Sequence, residues 1–209
     1  MSIKGNVRLE EFSRITAETR VIAILRGILS PDVRRVCEIL MESGVRLIEI
    51  TLNSPDALKS IKIASEAVGG KAVIGAGTVL TEDDVANVAD SGGQFIISPN
   101  VDTRVIRKTK ELGLISIPGF MTPTEAFTAV EAGADLLKCF PAGTMGANYL
   151  KDLKAVLKMP VIATGGIGDS NIREFLTVAA GVGVGSSLFK PGKTYEAIRD
   201  DAAKFMRNI

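Results

Sequence analysis

The sequence predicts an α/β fold: a single (β/α)8 barrel of the TIM type across residues 1–209, opened by a short N-terminal helix. Two observations carry that prediction. Eight short β-branched runs recur at roughly 19- to 26-residue intervals, the rhythm of strand–helix units in a parallel barrel. Between them lie amphipathic segments, and no linker, low-complexity stretch or charge block marks a second domain. An open doubly wound sheet is the alternative, because alternating βα units suit both architectures.

Residues 8–19 form the lead-in helix, with Leu9, Phe12, Ile15 and Thr16 on one side. The strand runs follow: Val21–Leu25, Leu47–Ile50, Ala72–Gly75, Phe95–Ile97, Leu114–Ile117, Asp135–Leu137, Val161–Ala163 and Val182–Val184. Among the intervening helices, residues 31–43 carry Val33, Val36, Cys37, Leu40 and Met41 at helical spacing, with Pro31 in the first turn and Gly44 after the last. Residues 122–132 open on Thr122-Pro123-Thr124-Glu125, a capped start, and run to Gly133. Tyr149–Leu157, Asn171–Ala179 and Thr194–Met206 complete the set.

Bulk composition removes several function classes. With 25 basic against 24 acidic residues, the net charge of +1 argues against a nucleic-acid or membrane surface. No apolar run reaches the roughly 20 residues of a membrane span, and Met1 to Glu11 lack the core of an export signal. Cys37 and Cys139 are too few for a disulfide framework, which places the chain in a reducing cytoplasm. The absence of histidine excludes serine–histidine and cysteine–histidine catalysis and removes the commonest zinc and iron ligand. No metal or other cofactor is expected.

Barrel chemistry gathers where strands end. In chain order those positions are Arg26, Glu49 with Thr51 and Asn53, Thr78, Pro99-Asn100, Pro118-Gly119, Lys138, Thr164-Gly165-Gly166 and Gly185-Ser186. Lys138 closes an apolar run, Leu136-Leu137-Lys138-Cys139-Phe140-Pro141, and allows two readings. It either reaches back to solvent, or it is desolvated, neutral and able to attack a carbonyl. Glu49, inside Leu47–Ile50, is an acid–base group or a structural ion-pair partner, Lys138 included. At ~4 Å and an effective dielectric of ~20 that pairing is worth ~4 kcal/mol and works against a neutral lysine, so desolvation or a second cation must outweigh it. Arg26 is the candidate cation and a candidate clamp for a carboxylate. Thr78 offers a hydroxyl beside a glycine turn, unless it or Thr81 caps the next helix. Two glycine clusters, at 165–166 and 181–185, suit phosphate: their N–H groups approach an anion closely, and a following helix N-terminus would add its dipole.

Seven of these segments also stand in a familiar order. Ile48-Glu49-Ile50-Thr51-Leu52, Gly75-Ala76-Gly77-Thr78-Val79, Ile97-Ser98-Pro99-Asn100, Ile117-Pro118-Gly119, Leu137-Lys138-Cys139-Phe140-Pro141, Thr164-Gly165-Gly166 and Gly183-Val184-Gly185-Ser186 together resemble the KDPG/KHG aldolases, which cleave 2-keto-3-deoxy-6-phosphogluconate, and their phosphogalactonate relatives. The resemblance runs from Val21 to Lys190. It implies a metal-independent class I aldolase on a (β/α)8 barrel, usually a homotrimer, that splits a phosphorylated 2-keto-3-deoxy sugar acid into pyruvate and glyceraldehyde 3-phosphate. Lys138 matches the Schiff-base lysine and Glu49 the acid–base carboxylate. Thr78, Pro99, Thr164, Gly165, Gly166, Gly185 and Ser186 fall at substrate-binding positions, the later glycines at the phosphate site. Where many members carry an arginine four residues after the glutamate, this chain has Asn53, so the carboxylate falls to Arg26 with Thr78. Branch markers divide: Leu25-Arg26-Gly27, Leu52-Asn53-Ser54-Pro55 and Thr124-Glu125-Ala126-Phe127 resemble the phosphogalactonate enzymes. Met121-Thr122-Pro123-Thr124 and Thr164 resemble the phosphogluconate enzymes. The sugar epimer and activity on 4-hydroxy-2-oxoglutarate stay open, as do two other classes, a phosphosugar isomerase and a non-catalytic phosphometabolite-binding barrel.

Overall fold

The computed structural model describes residues 7–209. Residues 1–6, the start of the segment read above as lacking an export signal, lie outside the described residues. The chain begins with α1 (Leu9–Thr19) and β1 (Val21–Leu25), then α2 (Val33–Glu42), β2 (Leu47–Thr51), α3 (Ala57–Val68), β3 (Val73–Gly77), α4 (Glu82–Asp90) and β4 (Phe95–Ile97). It continues with α5 (Thr103–Glu111), β5 (Ile115–Ile117), β6 (Gly119–Phe120), α6 (Pro123–Glu131), β7 (Leu137–Cys139), α7 (Ala142–Leu153), β8 (Val161–Thr164), α8 (Ile172–Leu176), β9 (Gly181–Val184) and α9 (Tyr195–Met206).

All the strand pairs are parallel, and the sheet order is β5-β4-β3-β2-β1-β9-β8-β7-β6. Neighbours in space are therefore neighbours in sequence, and β9 returns to pair with β1, unlike the reversing order of a doubly wound sheet. The two ends of the sheet, β5 and β6, are separated by Pro118 alone. Backbone N–H groups of Leu136, Lys138 and Phe140 donate to the carbonyls of Ser116, Pro118 and Phe120 at 2.9–3.2 Å. The result is a nearly closed, barrel-like nine-stranded sheet wrapped by helices.

Strand periodicity divides the core in two. Alternate residues Ile22, Leu47, Val73, Phe95, Ile97, Ile115, Ile117, Leu136 and Ile162 fill the inside of the sheet, while their neighbours pack outward against the helices. Phe12 of α1 belongs to the inner cluster and meets Phe95 edge-on, ring centroids 5.5 Å apart. Gly75 makes room for that ring: a Cβ there would overlap it. The lead-in helix is thus a plug for one end of the barrel.

Helix starts agree with the capping signals. Thr122 and Glu125 form a capping box with Pro123 in the first turn, and Thr194 caps α9. Thr81, not Thr78, caps α4. Two helices depart from the expected bounds. The expected helix from Tyr149 is preceded by a turn of helix from Ala142, the two separated by a kink at non-helical Gly146 (φ +80°), soon after the strand that carries Lys138. The one expected over 171–179 shrinks to Ile172–Leu176, because Gly168 and Asn171 make a local turn first.

If Phe12 plugs the barrel, Phe12→Ala should cost about 3–5 kcal/mol in denaturant unfolding, the usual penalty for emptying a buried aromatic site. A loss below about 1 kcal/mol would show that α1 only lies on the surface.

Candidate active site

The alternation that fills the bottom of the barrel with aliphatic groups brings polar ones inward nearer its mouth. Leu136 faces the interior and Leu137 and Cys139 face the helices, so Lys138 points inside. It is 5% exposed, paired in register with Gly119 and Ile162, and its Nζ lies 4.8 Å from the Phe140 ring centroid. Cys139 is no rival nucleophile, because burial pushes its thiol up to about 11.

Glu49 comes inward from β2 by the same logic, between outward Ile48 and Ile50, and is 2% exposed. Gly77 of β3 seats it: any Cβ at that position would overlap the carboxylate. Arg26 stands just beyond β1. The loop that carries it is tied down by the Gly27 N–H donating to Ser54 Oγ at 2.8 Å, and Ser54 in turn hydrogen-bonds Thr51 Oγ1 at 3.1 Å.

These groups set one another's protonation. Burial pushes Lys138 below the ordinary lysine value of 10.5; the Glu49 charge opposes that shift and the Arg26 charge adds to it. Burial likewise pushes Glu49 above 4.5, against the pull of Lys138 and Arg26. Among the described residues, no direct ion pair joins Glu49 to Lys138. The contact assumed in the sequence-based electrostatics is therefore not made, and desolvation decides both groups.

Lys138 opens into a cavity of about 550 Å³. Arg26, Thr164, Gly165, Gly166, Gly185 and Ser186 also line it. Gly165 and Gly166 both take positive φ, +89° and +74°, and Gly143 packs so tightly against them that its N–H donates to the Gly165 carbonyl at 2.7 Å. Among the described residues, no protein carbonyl accepts from the N–H groups of Gly166, Ser186 or Ser187. These loops face each other, joined by Ser187 Oγ donating to the Ile167 carbonyl at 2.9 Å. The expected helix dipole behind Gly166 is absent from this arrangement, since α8 has five residues and starts after an intervening turn. Thr164, 5% exposed, lies over Gly183, where a Cβ would come within 2.5 Å of its hydroxyl.

Three expected residues, Glu49, Thr78 and Pro99, stand outside the cavity wall. Thr78 follows β3 with φ +59°, a strained conformation for a β-branched residue. Pro99 follows β4 and presses its carbonyl on Gly119, beside Lys138. Sequence reading missed Gly27, Phe140, Phe189, Lys190 and Pro191, which also line the cavity. Only Phe140 carried a signal, two positions after Lys138 and so on the same strand face.

The chain resembles known proteins over most of its length. Residues 12–206 match the family model for KDPG and KHG aldolase. The 2-dehydro-3-deoxy-6-phosphogalactonate aldolase of Escherichia coli strain K12 is 42% identical over 190 residues, covering 90% of this chain and 93% of that protein. A solved native KDPGal structure superposes with a TM-score of 0.88 at 41% identity, covering 90% of this chain and 93% of the other. More distant is the KDPG aldolase of Legionella pneumophila, solved with pyruvate captured as a covalent carbinolamine: TM-score 0.81, 27% identity, 94% and 95% coverage.

The opposed charges on Lys138 give a signed test. Competitive acylation of Lys138 across a pH series should titrate below 10.5. Removing the Glu49 charge in Glu49→Gln should move the midpoint lower still, and removing the cation in Arg26→Ala should move it up. Shifts of the same sign in both variants would overturn the electrostatic assignment.

Proposed function

Because the chain belongs to the KDPG and KHG aldolase family, we propose that Lys138 is the Schiff-base nucleophile of an aldolase acting on a 2-dehydro-3-deoxy-6-phosphoaldonate. The observation that carries this reading is a buried lysine, its ammonium disfavoured, facing a cavity with Arg26 on one side and unpaired loop N–H groups on another. The enzyme is a carbon–carbon lyase of the metal-independent class I type, releasing pyruvate and glyceraldehyde 3-phosphate reversibly. The carbinolamine captured in the Legionella pneumophila relative supports the imine route.

The neutral Lys138 amine attacks the C2 ketone to give a carbinolamine, and loss of water leaves an iminium. Breaking C3–C4 sends that bond's electron pair into the iminium, giving an enamine, while the C4 hydroxyl loses its proton and becomes the product aldehyde. Glu49, acting through a water, takes that proton and serves the earlier transfers; its pKa, raised by burial, suits a group that must both give and accept a proton. Protonation of the enamine and hydrolysis release pyruvate and restore Lys138. Ionised Glu49 stabilises the iminium charge. Arg26, with Thr78, grips the carboxylate, and Pro99 backs Gly119 beside Lys138. The phosphate lies on Gly165, Gly166, Gly185 and Ser186.

The finer calls follow from the same reading. Treating Ile115–Phe120 as one strand interrupted at Pro118 makes the sheet an eight-stranded (β/α)8 barrel in one domain, as the backbone bonds from β7 on that segment suggest. We take the assembly as a homotrimer, by analogy with the family, and the location as cytoplasmic, consistent with two free, buried cysteines. Among the described residues no helix is long and apolar enough to cross a membrane.

The higher identity to a phosphogalactonate enzyme favours the galactonate epimer, with Thr164 as the residue that admits the gluconate one. Pyruvate release should be seen from the phosphorylated substrate and should be unaffected by EDTA. Loss of activity in EDTA, restored by a divalent ion, would remove the class I mechanism. Glu49→Gln should retain binding and slow turnover about 10²- to 10⁴-fold; a near-normal rate would leave Glu49 structural. Thr164→Val should lower kcat/KM for the gluconate epimer more than for the galactonate one, because a hydroxyl-bonding site discriminates best against a ligand that cannot meet it. Equal effects on both epimers would take Thr164 out of the selectivity.

A further inference from the structure

The cavity wall has an unbalanced charge pattern. Its cations are Arg26, Lys138 and Lys190, and no aspartate or glutamate lines it. On the reading above, Arg26 meets the carboxylate, and Lys138 is neutral before attack and an iminium after it. The phosphate, close to a dianion at neutral pH, is left with neutral N–H donors from the glycine loops and Ser186.

Lys190 is the cation on the same stretch of wall as Ser186, and among the described residues its ammonium enters no ion pair or hydrogen bond. Its backbone is held in place. Phe189 before it is buried, and Pro191 after it packs on Gly27 so closely that a Cβ at 27 would come 2.9 Å from the ring. Lys193, three residues on, spends its ammonium on the carbonyls of Ser187 and Leu188 and on Asp201, fastening the loop from below. One lysine is thus consumed in building the loop and the other is left facing the cavity.

We propose that Lys190 is a substrate-binding residue that neutralises the terminal phosphate and sets the preference for phosphorylated over unphosphorylated 2-keto-3-deoxy acids. This rests on the aldolase reading. A charge that acts on the phosphate alone must leave the pyruvyl end untouched, which gives it a signature that a structural lysine lacks.

The test compares wild type with Lys190→Met and Lys190→Arg. Lys190→Met should raise KM for the phosphorylated substrate, and Ki for inorganic phosphate as a competitive inhibitor, by about ten- to 150-fold with kcat retained, as expected for one charge-assisted contact. The rise of wild-type KM with salt should flatten in Lys190→Met, since screening then has one less charge to act on. Lys190→Arg should restore both constants to within about twofold. Solvent-deuterium exchange into the pyruvate methyl group, which reports imine and enamine formation without a phosphate, should proceed alike in all three proteins. An unchanged KM and phosphate Ki in Lys190→Met would overturn the proposal, as would an equal loss of pyruvate exchange. Absence of exchange in wild type would instead fail the imine reading beneath it.

Discussion

The chemistry proposed for this molecule depends on one constraint, the burial of Lys138 and Glu49. Burial disfavours the charged form of each group, the lysine's pKa falling and the glutamate's rising. A direct ion pair would reverse this by fixing both charges. The barrel avoids that outcome by bringing the two groups from strands on different sides of its interior without direct contact. Arg26 is a second cation whose field weakens the ammonium further.

The backbone is shaped to permit the arrangement. Glycine at 77 leaves a seat for the Glu49 carboxylate, glycine at 75 leaves one for the Phe95 ring beneath it, and glycine at 183 leaves one for Thr164. Each is a place where one strand gives up its own inward side chain so that the neighbour's can occupy the interior. The aliphatic plug below, with Phe12 against Phe95, shuts the other end of the barrel to water. The same packing that stabilises the fold therefore sustains the low polarity that disfavours the Lys138 ammonium. At the mouth the design changes: positive-φ glycines and N–H groups without a backbone acceptor replace buried side chains.

Period-two alternation made much of this legible in advance. Leu47, Glu49 and Thr51 share a face, as do Leu136, Lys138 and Phe140, so placing Lys138 and Glu49 together needed only the assumption of a closed sheet. Arg26, Thr164, Gly165, Gly166, Gly185 and Ser186 were likewise placed by strand ends. What escaped was set by loop conformation. Lys190, Phe189 and Pro191 reach the cavity through a turn fastened by Lys193, a contact between residues with no periodic relation. The break at Pro118 split one strand run into two, and the turn at Gly168–Asn171 delayed a helix that composition alone would start earlier. Thr78 offers a hydroxyl, yet its unusual feature is a strained φ, which no residue pattern announces.

The measurement that bears most directly on the central claim is covalent. Sodium borohydride added with pyruvate reduces an imine to a stable secondary amine, so a protein that forms one gains a single reduced pyruvyl group and loses activity. Peptide mapping should place that group on Lys138, and Lys138→Met should take up none while keeping its fold, since a similar-sized apolar chain suits a buried strand. An adduct on Lys71 or Lys190, or no adduct at all from an active protein, would contradict the account.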